Sequence, residues 1–247
     1  ALLPLKEFAH AKQRLAGVLT PEERRDLFAA MVEDVLSVLH GHPDIENTLI
    51  ISEDEHAFAL ARNYGAVCLS ESSLNIRGLN EAVQAGVDHL AHAGIDEVMV
   101  IHGDLPLISA ADIRHLVLSH QQLSQAGIHK AATPALTIAP DEHRQGTNCL
   151  LCTPASSMTF CYGANSFTLH AVKASHVDMP LQVVSLPGVA CDIDTPDDLN
   201  QLIQRASATS ARHSHRYIVE HDLSARIAAR KNQAEADSSL AQIQCVN

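Results

Sequence analysis

Val98-Met99-Val100-Ile101-His102-Gly103-Asp104-Leu105-Pro106-Leu107-Ile108 is an apolar run that stops abruptly at a glycine and a carboxylate, with proline close behind. Val98 to Ile101 have the makeup of a strand buried on both faces, and Gly103 to Pro106 read as the turn that leaves its carboxyl end. In open α/β sheets ligands bind outside that edge, so Asp104 is a candidate metal ligand. The same side chain could instead shape the turn or cap the helix that begins near Ser109.

On either side of this stretch the chain alternates strands and helices. Ala1 to Leu5, Asn47 to Ser52 and Ala66 to Ser70 read as strands. Between them, Thr20-Pro21-Glu22-Glu23 is a capping box with proline at the first helical position. It opens a helix with Leu27, Phe28, Met31, Val32, Val35, Leu36 and Leu39 on one stripe. Helices are also expected over Asp54 to Tyr64, from Gly78 to about Ala93, and from Ser109 to Gly127. His129 to Ile138, Cys149 to Cys152 and Leu181 to Leu186 resume strand character. The repeated β-α-β pattern predicts one α/β domain with a mostly parallel sheet flanked by helices.

Composition limits what this domain can meet. The chain has 247 residues, 46% of them hydrophobic, a net charge of −12, 3% aromatic residues and no Trp. That acidity opposes nucleic acid and anionic membranes, and too few rings are available to stack single-stranded bases. No apolar run approaches a membrane span and no leader precedes the first strand, so a cytoplasmic protein is expected. Six cysteines at irregular spacings suit reduced thiols. Cys149 and Cys152 should point to opposite faces of a strand and so hold no metal together. From about residue 208 the chain turns polar; 1–207 reads as the folded domain and 208–247 as a C-terminal appendage, helical in part, disordered in part or used in self-association.

Several polar clusters carry possible chemistry. Lys6, Lys12 and Arg14 fall within nine residues after the first strand. A loop wrapped over a ligand could converge them on a triphosphate, although a solvated surface would look the same. Asn80 falls in the first turn of its helix, where it either caps or meets a base or ribose. Gly163-Ala164-Asn165-Ser166 leads into another helix start, an anion site or an ordinary cap. In Asp192-Ile193-Asp194-Thr195-Pro196-Asp197-Asp198 the last two carboxylates suffice as a capping box. Asp192 and Asp194 precede it and can meet Asp104, forming the sparse carboxylate set that magnesium prefers.

In order, Pro4-Leu5-Lys6, Ala11-Lys12-Gln13-Arg14-Leu15, Gly78-Leu79-Asn80, Gly103-Asp104-Leu105-Pro106-Leu107, Gly146-Thr147-Asn148, Gly163-x-x-Ser166 and Asp192-Ile193-Asp194-Thr195-Pro196-x-Asp198-Leu199 form a specific series. Over residues 1 to 205 it resembles the CofC/FbiD guanylyltransferases of coenzyme F-420 biosynthesis. The resemblance implies a single GT-A-like, Rossmann-like nucleotidyltransferase domain. Its reaction would join GMP from GTP to 2-phospho-L-lactate, phosphoenolpyruvate or 3-phosphoglycerate and release pyrophosphate. By the same analogy Asp104 with Asp192 or Asp194 would hold Mg2+, and Lys6, Lys12 and Arg14 would bind the GTP phosphates. Gly78 and Asn80 would help hold the nucleotide, and Thr147, Asn148, Gly163 and Ser166 would cradle the phospho-acid. The downstream F-420 transferase is an expected partner, and a homodimer is left open. Two departures are His102 before Gly103 and Tyr162 where a Phe is common. The alternatives are another nucleotidyltransferase, such as a molybdenum-cofactor enzyme, or a nucleotide-binding module without turnover.

Overall fold

A computed structural model describes residues 1–125 and 133–229. The expected helix end at Gly127 and strand start at His129 lie outside the described residues, as does the tail from 230 onward. Strand β1 (Leu2–Pro4) pairs in parallel with β2 (Leu49–Ile51) and β4 (Val98–Ile101), and β2 pairs in parallel with β3 (Val67–Leu69). Strand β6 (Thr147–Thr153) runs antiparallel to β4 and to β5 (Ala135–Pro140), which pairs in parallel with β7 (Leu181–Val183). The full order is β3-β2-β1-β4-β6-β5-β7.

This order decides where a ligand can sit. The chain winds outward from β1 to β3 and then returns to β4 on the other side of β1, so the carboxyl ends of β1 and β4 flank a switch point. Because β6 is antiparallel, its amino end reaches the same edge. Ile101 is paired with Cys149, and the His102 N–H donates to the Asn148 carbonyl at 3.2 Å. One reversed strand thus brings Thr147 and Asn148 beside the Asp104 turn.

The helices are α1 (Pro21–Leu39), α2 (Glu55–Asn63), α3 (Glu71–Leu74), α4 (Leu79–His92), α5 (Ala110–Gln125), α6 (Ser166–His176), α7 (Pro196–Arg205) and α8 (Arg212–Glu220). Both reciprocal bonds of the predicted capping box at Thr20 and Glu23 form, and all seven residues of the α1 stripe are buried. One core lies between the sheet and α1, α2 and α5; another lies under α4 and α6. Cys149 belongs to the first and Cys152 to the second, as strand alternation requires.

The segment after 207, expected as a polar appendage, is packed through residue 227. Ala211, Ile218, Leu223 and Ile227 join Leu27 and Met31 of α1 and Leu199 and Leu202 of α7 in a third core. Its apolar residues are few, yet these four fall on one face. Asp34 of α1 accepts the backbone N–H of His213 at 2.8 Å and of Ser214 at 2.9 Å, supplying the cap that α8 lacks in its own sequence.

Candidate active site

The loop after β1 folds as two single turns, Phe8–His10 and Gln13–Leu15, with Lys12 in the left-handed region at φ 53° between them. Its anchor is apolar at one end, where buried Phe8 meets Phe28 edge to face at 4.8 Å. Polar support comes from Asp54, which accepts the Phe8 N–H at 2.7 Å while capping α2. This arrangement turns Lys12 inward, so that its side chain is only 5% exposed. Its ammonium donates to Asp104 at 2.6 Å and to Asp194 at 2.8 Å. Burial pushes that ammonium toward neutrality, but the two carboxylates outweigh it and raise its pKa. Burial likewise works to raise the Asp104 carboxyl, and Lys12 reverses the sign and holds it below the usual range.

Across the cavity the groups are tied by hydrogen bonds. The Ser166 hydroxyl accepts the Thr147 N–H at 2.9 Å, Thr147 Oγ1 lies 3.0 Å from His170 Nδ1, and His170 Nε2 accepts the Cys161 N–H at 2.9 Å. Asn148 Nδ2 donates to the Val189 carbonyl at 2.9 Å and to Asp192 at 3.1 Å. Burial, followed by the nearby Asp104 charge, raises the Asp192 pKa to about 6. Between the two sides lies a cleft of about 480 Å³, lined among others by Lys6, Lys12, Arg14, Asp104, Thr147 and Ser166.

A sequence family described as guanylyl transferase, CofC-like, matches residues 1–231. The chain belongs to the CofC-like guanylyl transferase family. A phosphoenolpyruvate guanylyltransferase of Conexibacter woesei is 36% identical over 202 residues, covering 82% of this chain and 86% of the relative. A 2-phospho-L-lactate guanylyltransferase of Methanothermobacter thermautotrophicus is 33% identical over 212 residues, covering 86% and 87%. In fold, the chain matches a cytidylyltransferase of Leptospira borgpetersenii with a TM-score of 0.54 at 14% identity, covering 90% of this chain and 94% of that one.

In this guanylyl transferase the cleft gathers most of the expected set: Lys6, Lys12, Arg14, Asp104, Thr147, Asn148, Gly163, Ser166, Asp192 and Asp194 all line it. Two expected nucleotide contacts lie elsewhere. Asn80 spends both ends of its amide on the backbone of Tyr162, accepting its N–H at 2.6 Å and donating to its carbonyl at 3.1 Å. It thereby braces the turn that carries Gly163. Gly78 lines an adjoining cavity of about 330 Å³ with Glu53, Glu71 and Leu79, which shares Pro4, Lys6 and His10 with the main cleft.

Two of the three expected carboxylates meet on a cation of the chain itself. Among the described residues no group of three or more His, Cys, Asp or Glu side chains is arranged to hold a metal ion. Asp104 and Asp194 do converge on one cation, the Lys12 ammonium, and the second oxygen of Asp104 is buried with no hydrogen-bond partner. Such a site fits magnesium, which takes one or two carboxylates and fills the remaining positions with water and phosphate. Sequence reasoning missed His170 and Asp54, whose partners lie 9 to 46 residues away along the chain. No local pattern marks such contacts.

Among the described residues no helix is long and apolar enough to cross a membrane.

Proposed function

We propose that this chain joins the GMP of GTP to a small phosphorylated carboxylic acid, releases pyrophosphate, and serves coenzyme F-420 biosynthesis with Mg2+ held by Asp104 and Asp194. One observation carries the reading: a single cleft has a basic loop on one wall, hydroxyl and amide groups on the other, and two carboxylates aimed at one cation between them. The adjoining cavity gives room for the guanosine. Glu71 and Glu53, the second already accepting from Ser72, line it with carboxylates, the kind of acceptor that suits the N1–H and 2-amino group of guanine.

The nucleophile is a phosphate oxygen of the acceptor, which is ionised at neutral pH because a phosphomonoester loses its second proton near pH 6. No general base is therefore required. What must be overcome is repulsion: two unit charges 4 Å apart repel by about 4 kcal/mol at an effective dielectric of 20, and several such pairs meet here. Lys6, Lys12 and Arg14 offset that repulsion on the GTP side. When bound, magnesium stabilises the charge that builds on the departing pyrophosphate. Thr147, Asn148 and Ser166 hold the acceptor for in-line approach to the α-phosphorus. Lys12, paired with Asp104 and Asp194 when the site is empty of nucleotide, turns from those carboxylates to the phosphates as the site fills.

The test offers GTP and magnesium with phosphoenolpyruvate, 2-phospho-L-lactate and 3-phosphoglycerate in separate reactions and measures pyrophosphate. Release that depends on one of these acceptors is expected. Absence of release with all three, even with the downstream F-420 transferase present to consume product, would overturn the reading.

A further inference from the structure

His170 is fully buried and does not line the cleft, yet it touches a residue that does. Its Nε2 faces the backbone N–H of Cys161, which can only donate. That nitrogen must therefore be the bare one, and the single proton of the neutral ring sits on Nδ1. Burial, with His102 adding to it, lowers the His170 pKa to about 4, in keeping with a neutral ring. The Nδ1–H then donates to Thr147 Oγ1 at 3.0 Å. With that lone pair taken, the hydroxyl proton of Thr147 must leave in another direction. Among the described residues its oxygen has no other hydrogen-bond partner, and Thr147 lines the cleft.

Ser166 is constrained in the same sense. Its oxygen accepts the Thr147 N–H, and its own proton has no acceptor among the described residues. The chain of donors thus runs Cys161 N–H to His170, His170 N–H to Thr147, and Thr147 N–H to Ser166, leaving two hydroxyl protons without an acceptor on residues that line one wall of the cleft.

We infer that His170 is a positioning residue for acceptor recognition: it fixes the Thr147 hydroxyl as a donor and so tunes this wall to an anionic group of the phospho-acid. The inference rests on the acceptor subsite proposed above. A rotor left free would give up part of its donor geometry to other orientations, and a carboxylate or phosphate, which only accepts, would bind less tightly. GTP, held on the opposite wall, would not feel the change.

The test compares His170→Phe, His170→Asn and Thr147→Val by steady-state pyrophosphate release, varying acceptor and GTP separately. His170→Phe removes the ring N–H and is expected to raise the acceptor KM about tenfold with the GTP KM within twofold. His170→Asn keeps an N–H donor near the Nδ1 position and should recover most of that loss. In a Thr147→Val background, His170→Phe should add nothing further to the acceptor KM, because the hydroxyl it orients is gone. The inference is overturned by an unchanged acceptor KM in both His170 variants, by equal rises in both KM values, or by a His170→Phe effect that persists undiminished on Thr147→Val. If His170→Phe does not fold, His170→Asn and His170→Gln decide, since only Asn places a donor at Nδ1. Failure of the function itself is distinct: wild-type protein would then release no pyrophosphate with any acceptor.

Discussion

The loop that carries Lys6, Lys12 and Arg14 and the strand that carries Thr147 and Asn148 face each other across one cleft, but they are held by different forces. On the strand side the contacts are hydrogen bonds among side chains and backbone, and the one carboxylate among them, Asp192, takes an amide N–H of Asn148, with Ser166 and His170 both buried. On the loop side the inward lysine is held by two carboxylates, and Arg14 is 75% exposed, 3.9 Å from Asp194. Hydrogen-bond networks of the first kind have one arrangement. Ion pairs of the second kind can be exchanged for other ions of the same sign. On the reading above, the strand wall is therefore ready before substrate arrives, whereas the loop wall completes itself by trading one cation for another.

The largest effect should come from the carboxylate that holds the inward lysine. Asp104→Asn keeps the shape of the turn but removes the charge that holds Lys12 and, on the reading above, magnesium. We expect kcat/KM to fall by about a thousandfold or more, measured as pyrophosphate release, with the thermal unfolding curve retained. A variant with near-normal turnover would remove Asp104 from the chemistry and dissolve the contrast between the walls.

Lys12→Ala separates exchange from simple loss. Turnover should fall about a hundredfold because a phosphate ligand is gone. Yet Mn2+ binding in the absence of nucleotide, followed by electron paramagnetic resonance, should tighten about tenfold, since the ammonium no longer competes for Asp104 and Asp194. Thr147→Val should leave that metal affinity unchanged. Weaker metal binding in Lys12→Ala would mean that the ammonium organises the carboxylates and does not stand in for a cation.

The two walls were also unequally legible in the sequence. Strand β4 and its Asp104 turn could be read because an apolar run, a glycine and a proline all act within a few residues. The capping boxes at Thr20 and Thr195 were legible for the same reason. The direction of β6 was not, because Thr147 to Thr153 would be an equally good strand either way up, and only its pairing with Ile101 and Ala139 through Cys149 sets it. The inward turn of Lys12 depends on partners 92 and 182 residues away. The bonds from Asn80 to the Tyr162 backbone were not legible either, because they span 82 residues. His170 sits one helical turn past Ser166, and only the structure shows that both bind Thr147.

Stability against pH should reflect the strand side. His120 is fully buried between Thr137 Oγ1 of β5 at 3.1 Å and Thr153 Oγ1 of β6 at 2.9 Å, the second on the strand that also carries Thr147 and Asn148. Burial lowers its pKa from 6.5 to about 4. The unfolded chain therefore takes up a proton below about pH 6.5 that the folded chain refuses until about pH 4. Stability is fully present above the first value and falls as pH drops through that window, by about 3 kcal/mol. His120→Asn, which keeps a polar side chain without the titration, should flatten the slope of urea-unfolding free energy between pH 7 and pH 5. An unaltered slope would place the pH sensitivity elsewhere.

The smallest effect concerns how the loop side is anchored to the rest of the fold. Asp194 is delivered by the start of α7, where Asp198 Oδ2 accepts three bonds: from the Asp194 N–H at 3.1 Å, the Thr195 N–H at 2.7 Å and the Thr195 hydroxyl at 2.8 Å. In return Thr195 Oγ1 accepts the Asp198 N–H at 3.3 Å. Thr195→Ala removes one of the three donors and the long return bond, so it should cost about 1 kcal/mol of stability in urea unfolding. The Asp194 and Thr195 N–H groups still bind Asp198, so turnover should stay within about twofold. Asp198→Ala removes all three together and should lower turnover several-fold at a similar cost in stability. If Thr195→Ala instead matched Asp198→Ala in activity, the hydroxyl would be the group that aims Asp194, and the loop side would depend on a fixed hydrogen bond much as the strand side does.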